Sequence, residues 1–259
     1  MRTPNATLLE KFPMKTLSRL TFGFTLALLA LPLDAQQKSS TTDALVADRA
    51  ELIPNMGALT QRAALREQLL AYHACTCTCG CYASDLQAET DRAIAFLETR
   101  AAQKKPGEKL AMVLDIDETS LSNWDEMQRE DFTYHANTYK AWELSAKATA
   151  LPGTLKLYRA ARKLGVSVFF LTGRPENERE ATALNLQQQG YEGWQKLILR
   201  PTPHPASEST TDYKSAARQS IVAAGYTLAI NMGDQWRDLR GAPQAELNVK
   251  LPNPFYLLP

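Results

Sequence analysis

Two aspartates end a short apolar segment near the middle of the chain. Residues 110–114 have the composition of a buried strand in a parallel sheet, and Asp115 and Asp117 follow directly. Ligands of open α/β sheets bind beyond the carboxyl ends of the strands, so both carboxylates are expected to face a crevice. One carboxylate can attack an electrophile while the other exchanges protons, and both can help to bind a divalent cation. The pair therefore predicts chemistry at this strand end.

Five further residues suited to this chemistry lie where a predicted strand ends or a predicted helix begins. They are Thr172, Gly173, Lys214, Asp234 and Asp238. Singly, such residues have ordinary explanations, since a lysine is usually solvated, a threonine often caps a helix and aspartates are common in turns. Together with the two aspartates, they indicate a phosphoryl-transfer site.

A phosphoryl group in transfer spreads negative charge over three equatorial oxygens, so its catalysis needs positioning and charge stabilisation. This need defines the roles that we expect for the aspartates. Asp115 attacks phosphorus and becomes an aspartyl phosphate. Asp117 protonates the leaving alcohol and then takes a proton from the water that hydrolyses the intermediate. A hard cation, for which oxygen ligands indicate Mg²⁺, is expected on Asp115, the backbone carbonyl of Asp117 and Asp234.

The other residues are expected to bind the phosphate or to support the cation. Lys214 places a positive charge beside the phosphate and Asp115. The Thr172 hydroxyl and the Gly173 amide donate to the phosphoryl oxygens, and a glycine lets the backbone approach closely. Asp238, one helical turn beyond Asp234, holds metal-bound water.

The elements that must position these residues alternate between strands and helices. The predicted strands are 110–114, 166–171, 196–199, 226–232 and 248–251. Their alternation with helical segments predicts an α/β fold with a Rossmann-like, doubly wound parallel sheet. The segment 200–212 is predicted to be a loop, and the helix that carries Lys214 is predicted to begin at residue 213.

Two further parts are predicted to lie around this sheet. Helices at 56–74 and 83–102 form an N-terminal helical layer, and residues 120–150 form a small helical cap insertion. The insertion is rich in aromatic residues, and Trp124, Tyr139 and Trp142 are expected to decide which substrate the crevice accepts.

The N-terminal residues 1–35 have the pattern of a secretory signal peptide. Basic residues precede the apolar stretch 21–33, and the favoured cleavage site follows Ala35. The stretch is shorter than the roughly 20 apolar residues that a membrane span needs, although an uncleaved anchor is the alternative. Residues 36–55 are predicted to be a flexible leader and 56–259 the functional domain. We therefore expect a periplasmic or secreted protein without stable membrane association.

The charge balance and the cysteines limit the partners. Lysine and arginine together number 29 and the acidic residues 28, which leaves no global positive charge for a nucleic acid polymer. The cysteines occur as Cys75, Cys77, Cys79 and Cys81. Local disulfides are expected in an oxidising compartment, but the spacing does not define their connectivity. A soft-metal site that includes His73 is the alternative, and it would make the chain a metal-binding protein.

The combined motifs resemble those of the haloacid dehalogenase (HAD) superfamily, in its branch of secreted acid phosphatases. The motifs are residues 115–119, 171–174, 213–215 and 233–239. Within this branch the chain is similar to class B and C enzymes and to the plant vegetative-storage-protein-like acid phosphatases. The resemblance covers about residues 56–256 and implies Mg²⁺-dependent hydrolysis of small phosphate monoesters, with nucleotides among the candidates, and often a homodimer. Phosphotransfer to an alcohol acceptor is an alternative that uses the same residues.

Overall fold

A parallel sheet forms the centre of the fold. The computed structural model describes residues 56–77 and 80–258, so the predicted signal peptide and leader lie outside the described residues. Its strands are β1 (Lys109–Leu114), β2 (Leu121–Ser122), β3 (Thr149–Ala150), β4 (Ser167–Pro175), β5 (Lys196–Arg200), β6 (Tyr226–Gly233) and β7 (Leu247–Lys250). All but β2 and β3 form one parallel sheet in the order β5-β4-β1-β6-β7, which places β1 at the centre.

The helices pack on both faces of this sheet. They are α1 (Met56–Ala74), α2 (Tyr82–Ala102), α3 (Trp124–Arg129), α4 (Ala136–Ser145), α5 (Pro152–Lys163), α6 (Arg179–Gln188), α7 (Thr210–Ala223) and α8 (Trp236–Leu239). None of these helices has both the length and the apolar composition needed to cross a membrane.

The burial of β1 shows why the strand is apolar along its whole length. Side chains alternate between the two faces of a strand. Leu110, Met112 and Leu114 belong to the buried cluster that includes residues of α2 and α5. Ala111 and Val113 belong to a second buried cluster, with residues of α7. Because both faces are covered by helices, the predicted doubly wound α/β fold is confirmed.

The insertion between β1 and α5 forms a separate small unit. Its two short strands pair antiparallel, with Leu121 opposite Ala150, and α3 and α4 lie between them in sequence. The predicted helical insertion is therefore present, and the antiparallel pair that closes its base was not predicted.

Two element boundaries beside the site residues differ from the prediction by three residues or more. The strand β4 continues beyond Leu171 to Pro175, which still pairs with Arg200 of β5. Helix α7 begins at Thr210 instead of residue 213. The Ser209 side chain accepts a hydrogen bond from a backbone amide in the first turn and so caps the helix earlier. Lys214 therefore lies in the second turn of α7.

A buried arginine fixes the segment that follows β6. Arg218 of α7 has no exposed surface. Its guanidinium donates hydrogen bonds to the backbone carbonyls of Asp238, Arg240, Gly241 and Pro243. One buried side chain thus binds four backbone carbonyls, which ties the helix that carries Lys214 to the segment that carries Asp238.

We expect Arg218→Met to lower the free energy of unfolding by about 3 kcal/mol, because it removes four charge-assisted hydrogen bonds and leaves the Arg240 and Pro243 carbonyls without this donor. The matched control is Arg159→Met on the exposed face of α5, which should change the value by less than about 0.5 kcal/mol. Urea denaturation followed by circular dichroism measures both values. Equal unfolding midpoints for the two variants would contradict this account of Arg218.

Candidate active site

The predicted residues meet at one cavity at the carboxyl end of the sheet. The cavity has a volume of about 580 Å³, and six of the predicted residues line it: Asp115, Asp117, Gly173, Lys214, Asp234 and Asp238. Thr172 is fully buried, and its Oγ1 accepts a hydrogen bond from the Arg174 amide at 3.1 Å. The structure therefore brings together every predicted residue except Thr172, whose expected contact with phosphate stays a prediction.

Lys214 lies between two carboxylates at the centre of the site. Its Nζ donates to Asp115 Oδ1 and to Asp238 Oδ1, each at 2.6 Å, and its side chain is only 3% exposed. Burial acts to lower the pKa of Lys214, but the two carboxylates outweigh this effect and raise it above its usual value. The lysine is therefore a permanent positive charge beside Asp115.

The carboxylates of the cluster carry more negative charge than Lys214 can neutralise. Ligand oxygens of Asp115, Asp234 and Asp238 all lie within 4.8 Å of one another, and all three residues are buried. Burial and the neighbouring Asp238 carboxylate raise the pKa of Asp234 to about 6, and burial also raises the pKa of Asp115 well above its usual range. A cluster of hard oxygen donors with excess negative charge fits a divalent cation of the Mg²⁺ type.

The Asp234 carboxylate is oriented by side-chain amides. Its Oδ2 accepts hydrogen bonds from Gln235 Nε2 at 2.6 Å and from Asn253 Nδ2 at 2.7 Å. Its Oδ1 has a weaker contact with the Thr119 hydroxyl at 3.3 Å. Asp234 Oδ2 is thus held by two side-chain amides, and Oδ1 is more available to a ligand.

Asp238 is held against Lys214. Its Oδ1 accepts from the lysine, and its Oδ2 accepts from the Gln235 amide at 2.8 Å. A Cβ atom on Gly233 would lie 2.4 Å from the Asp238 Cβ, so only glycine fits there. Because both Asp238 oxygens are engaged, the structure indicates that Asp238 orients Lys214. Its expected role in holding metal-bound water stays a prediction.

Asp117 is bound by residues that the sequence did not single out. Arg174 donates to Asp117 Oδ1 from Nη2 at 2.6 Å and to Oδ2 from Nε at 3.1 Å, and Asn123 Nδ2 donates to Oδ1 at 2.9 Å. Burial acts to raise the pKa of Asp117, but Arg174 and the hydrogen bonds outweigh it and lower the pKa below its usual value. Arg174 lies two residues beyond Thr172 on the same strand, and that period-two spacing was the available signal.

A further cation lines the cavity. The Arg237 side chain is part of the cavity wall, and its Nε is buried without a hydrogen-bond partner in the described part of the chain. It directly follows the exposed Trp236, and nothing in its spacing separated it from a solvated arginine. Its charge favours an anionic ligand in the cavity.

The insertion places aromatic side chains at the cavity, but not all of those expected. Tyr134 and Tyr139 line the cavity, and their ring centroids are 5.4 Å apart. Trp142 is buried, and its Nε1 donates to Asn123 Oδ1 at 2.9 Å. Trp124 stacks on the His73 ring with centroids 3.5 Å apart. The two tryptophans thus hold the insertion in place, and Tyr134 and Tyr139 are among the insertion residues that a ligand can contact.

The cysteine segment forms a covalent link at the helical layer. Cys75 and Cys81 form a disulfide that joins the end of α1 to the start of α2. The Cys77 sulfur lies 3.2 Å from that of Cys75 and 3.3 Å from that of Cys81, and Cys79 lies outside the described residues. The disulfide agrees with the expected local pairing and removes two of the thiolates that the soft-metal alternative needs.

Comparisons with known proteins agree with this architecture. Stem 28 kDa glycoprotein of Glycine max is 35% identical over 168 residues, which are 63% of this chain and 65% of that protein. Acid phosphatase 1 of Solanum lycopersicum is 39% identical over 149 residues, which are 56% of this chain and 58% of that protein. The matched part is thus about three fifths of the length of these relatives.

A solved structure shows the same fold. The class C acid phosphatase from Bacillus anthracis superposes with a TM-score of 0.61 at 21% identity, over 74% of this chain and 86% of that chain. The profile of HAD superfamily subfamily IIIB (acid phosphatase) matches residues 35–259. Since this match spans most of the sequence, the chain belongs to subfamily IIIB of the HAD superfamily, the acid phosphatase subfamily.

Proposed function

We propose that this protein is an acid phosphatase that hydrolyses small phosphate monoesters through an aspartyl phosphate on Asp115. The observation that carries the proposal is the placement of Lys214 between Asp115 and Asp238, with Asp234 beside them, at the wall of one cavity. A fixed ammonium group beside a buried carboxylate is suited to bind a phosphate next to its nucleophile. Membership of subfamily IIIB supports the same activity.

The proposed reaction has two displacements at phosphorus. In the first, an Asp115 oxygen bonds to phosphorus as the bond to the leaving alcohol breaks. Asp117, in the protonated form that its Arg174 ion pair disfavours in the free protein, gives its proton to that alcohol. In the second, water attacks phosphorus, Asp117 takes the proton from the water, and the bond to Asp115 breaks. Inorganic phosphate leaves, and both aspartates return to their starting forms. Lys214 and the Gly173 amide bind the phosphoryl oxygens throughout.

We propose Mg²⁺ as the cofactor, held by Asp115, Asp234 and the backbone carbonyl of Asp117. A divalent cation there supplies positive charge that reduces the repulsion between Asp115 and a phosphate dianion. The three-carboxylate cluster supports this proposal because its negative charge exceeds that of Lys214, the lysine that contacts it.

The cavity supports a small ester as the substrate. Tyr134 and Tyr139 offer flat apolar surface to the alcohol part, which suits aryl and nucleoside groups among others. Export is supported by the signal-like pattern of residues 1–35 and by the Cys75–Cys81 disulfide, since disulfides are typical of exported proteins. A homodimer stays a prediction.

Two alternatives have direct tests. Transfer of phosphate to an added alcohol, measured as the ratio of phosphorylated alcohol to inorganic phosphate, distinguishes a phosphotransferase from a hydrolase. Elemental analysis of protein purified without chelator tests the soft-metal alternative at the cysteine segment. Stoichiometric zinc or copper would support that alternative.

We expect Asp115→Asn to lower the turnover of p-nitrophenyl phosphate by at least about 1,000-fold, because an amide is a poor nucleophile at phosphorus. Asp125→Asn, at an exposed aspartate of α3, should keep the activity of the unchanged protein. Initial rates measure the turnover of both variants, and circular dichroism shows that both are folded. Turnover at the original rate in well-folded Asp115→Asn would exclude Asp115 as the nucleophile.

We expect a chelator to abolish hydrolysis and added Mg²⁺ to restore it. Mg²⁺ should also raise the melting temperature of the chelator-treated protein, because a ligand of the folded state stabilises it. The rise should be smaller for Asp234→Asn and unchanged for the exposed control Asp125→Asn. An equal rise in both variants would show that the cation binds elsewhere.

We expect Gly173→Ala to leave the melting temperature unchanged while kcat/KM falls by about 100-fold, because its methyl group would displace a bound phosphate. A Cβ atom at this position has no neighbour within 4 Å in the protein itself, and the residue is exposed to the cavity. Thermal melting, steady-state kinetics and inhibition by inorganic phosphate measure the two effects. Unchanged kinetics would show that phosphate binds away from this amide.

A further inference from the structure

The last residues of the described chain form a wall of the active site. We call residues 252–258 the C-terminal strap. Phe255, Tyr256, Leu257 and Leu258 line the same cavity as Asp115. The Phe255 ring is buried against Tyr82, with ring centroids 4.9 Å apart. The strap is thus anchored against the N-terminal helical layer and lines the cavity that holds the catalytic groups.

The strap contacts a buried carboxylate that the proposed reaction does not use. Glu118 has no exposed surface, and its backbone φ of 49° is uncommon for a residue with a side chain. Its oxygens accept hydrogen bonds from the Tyr256 hydroxyl at 2.7 Å, the Asn123 backbone N–H at 2.6 Å and the Asn123 side-chain Nδ2 at 3.1 Å. Within the described residues it has no ion pair. A buried carboxyl group in this backbone conformation is costly, and these hydrogen bonds offset part of that cost.

Asn123 connects this carboxylate to Asp117. Its Nδ2 donates to Glu118 Oε2 and to Asp117 Oδ1, while its Oδ1 accepts from Trp142 Nε1. Both ends of the amide are therefore fixed, and the nitrogen must face the two carboxylates. Hydrogen bonds thus run without a gap from Tyr256 through Glu118 and Asn123 to Asp117.

We propose that Tyr256 is a positioning residue for proton transfer by Asp117, acting through Glu118 and Asn123. The inference rests on the proposed function. Asn123 and Arg174 Nη2 both bind Asp117 Oδ1, which leaves Oδ2 as the less engaged oxygen and the one that transfers the proton. Tyr256 of the C-terminal strap thus helps to hold Asp117, the proposed proton donor that follows β1, in position.

The test compares two esters that differ in how much their leaving group needs a proton. p-Nitrophenolate leaves readily without protonation, whereas the alkoxide of glycerol phosphate does not. The parameter kcat/KM covers the steps up to transfer of the phosphoryl group to Asp115, so it excludes hydrolysis of the intermediate. We expect Tyr256→Phe to lower kcat/KM for glycerol phosphate by about 10- to 100-fold and for p-nitrophenyl phosphate by less than about threefold.

The matched control is Tyr72→Phe, because the Tyr72 hydroxyl also donates to a carboxylate, that of Asp85, at 2.6 Å. This control should leave both values unchanged. Asn123→Ser, which breaks the connection at its centre, should show the same selective loss as Tyr256→Phe. Inhibition by inorganic phosphate should be equal in all variants, since phosphate binding does not use this connection.

A double-mutant cycle tests whether Tyr256 acts through Asp117. In an Asp117→Asn background, Tyr256→Phe should have no further effect on glycerol phosphate. An equal loss for both esters, no loss for either, or a full effect in the Asp117→Asn background would overturn the positioning role. Failure of the unchanged protein to hydrolyse any ester would instead overturn the proposed function.

Discussion

An ammonium group buried between carboxylates is the interaction on which the active site depends. Asp115 follows β1, and Asp238 follows the adjacent strand β6, so the sheet brings their negative charges together. Carboxylate oxygens that lie within 4.8 Å of one another repel in a buried environment, and Lys214 of α7 offsets that repulsion. The buried Arg218 ties α7 to the Asp238 segment, which keeps the lysine in place. The remaining negative charge makes the site suitable for a divalent cation.

The parts outside the sheet complete the site instead of only covering it. The insertion contributes Asn123, which binds Asp117, and it holds that amide with the indole of Trp142. The C-terminal strap contributes Asn253, which binds Asp234, and Tyr256, which binds Glu118. Because these contacts join the catalytic strand ends to two other segments, loss of either segment is expected to disturb catalysis before it disturbs the fold.

The sequence predicted the fold and the cluster of aspartates with Lys214 at the cavity because both depend on local patterns. A buried apolar run that ends in aspartates is visible in the sequence, and Asp115 and Asp234 were found in this way. Arg174 and Tyr256 were not assigned roles, since their partners lie 57 and 138 residues away, and only Arg174 had a local signal, its spacing from Thr172. Trp142 was expected to contact substrate because a buried structural indole and a ligand-binding one have the same local signature.

Trapping the phosphorylated enzyme tests whether Asp115 is the nucleophile that attacks phosphorus. The protein would be mixed with a phosphate ester and Mg²⁺, quenched in acid during turnover, digested and analysed by mass spectrometry. We expect a phosphoryl group on Asp115 that forms at least as fast as the enzyme turns over and is absent from Lys214→Met. A phosphoryl group on another side chain, or full turnover with no phosphorylated enzyme, would contradict it.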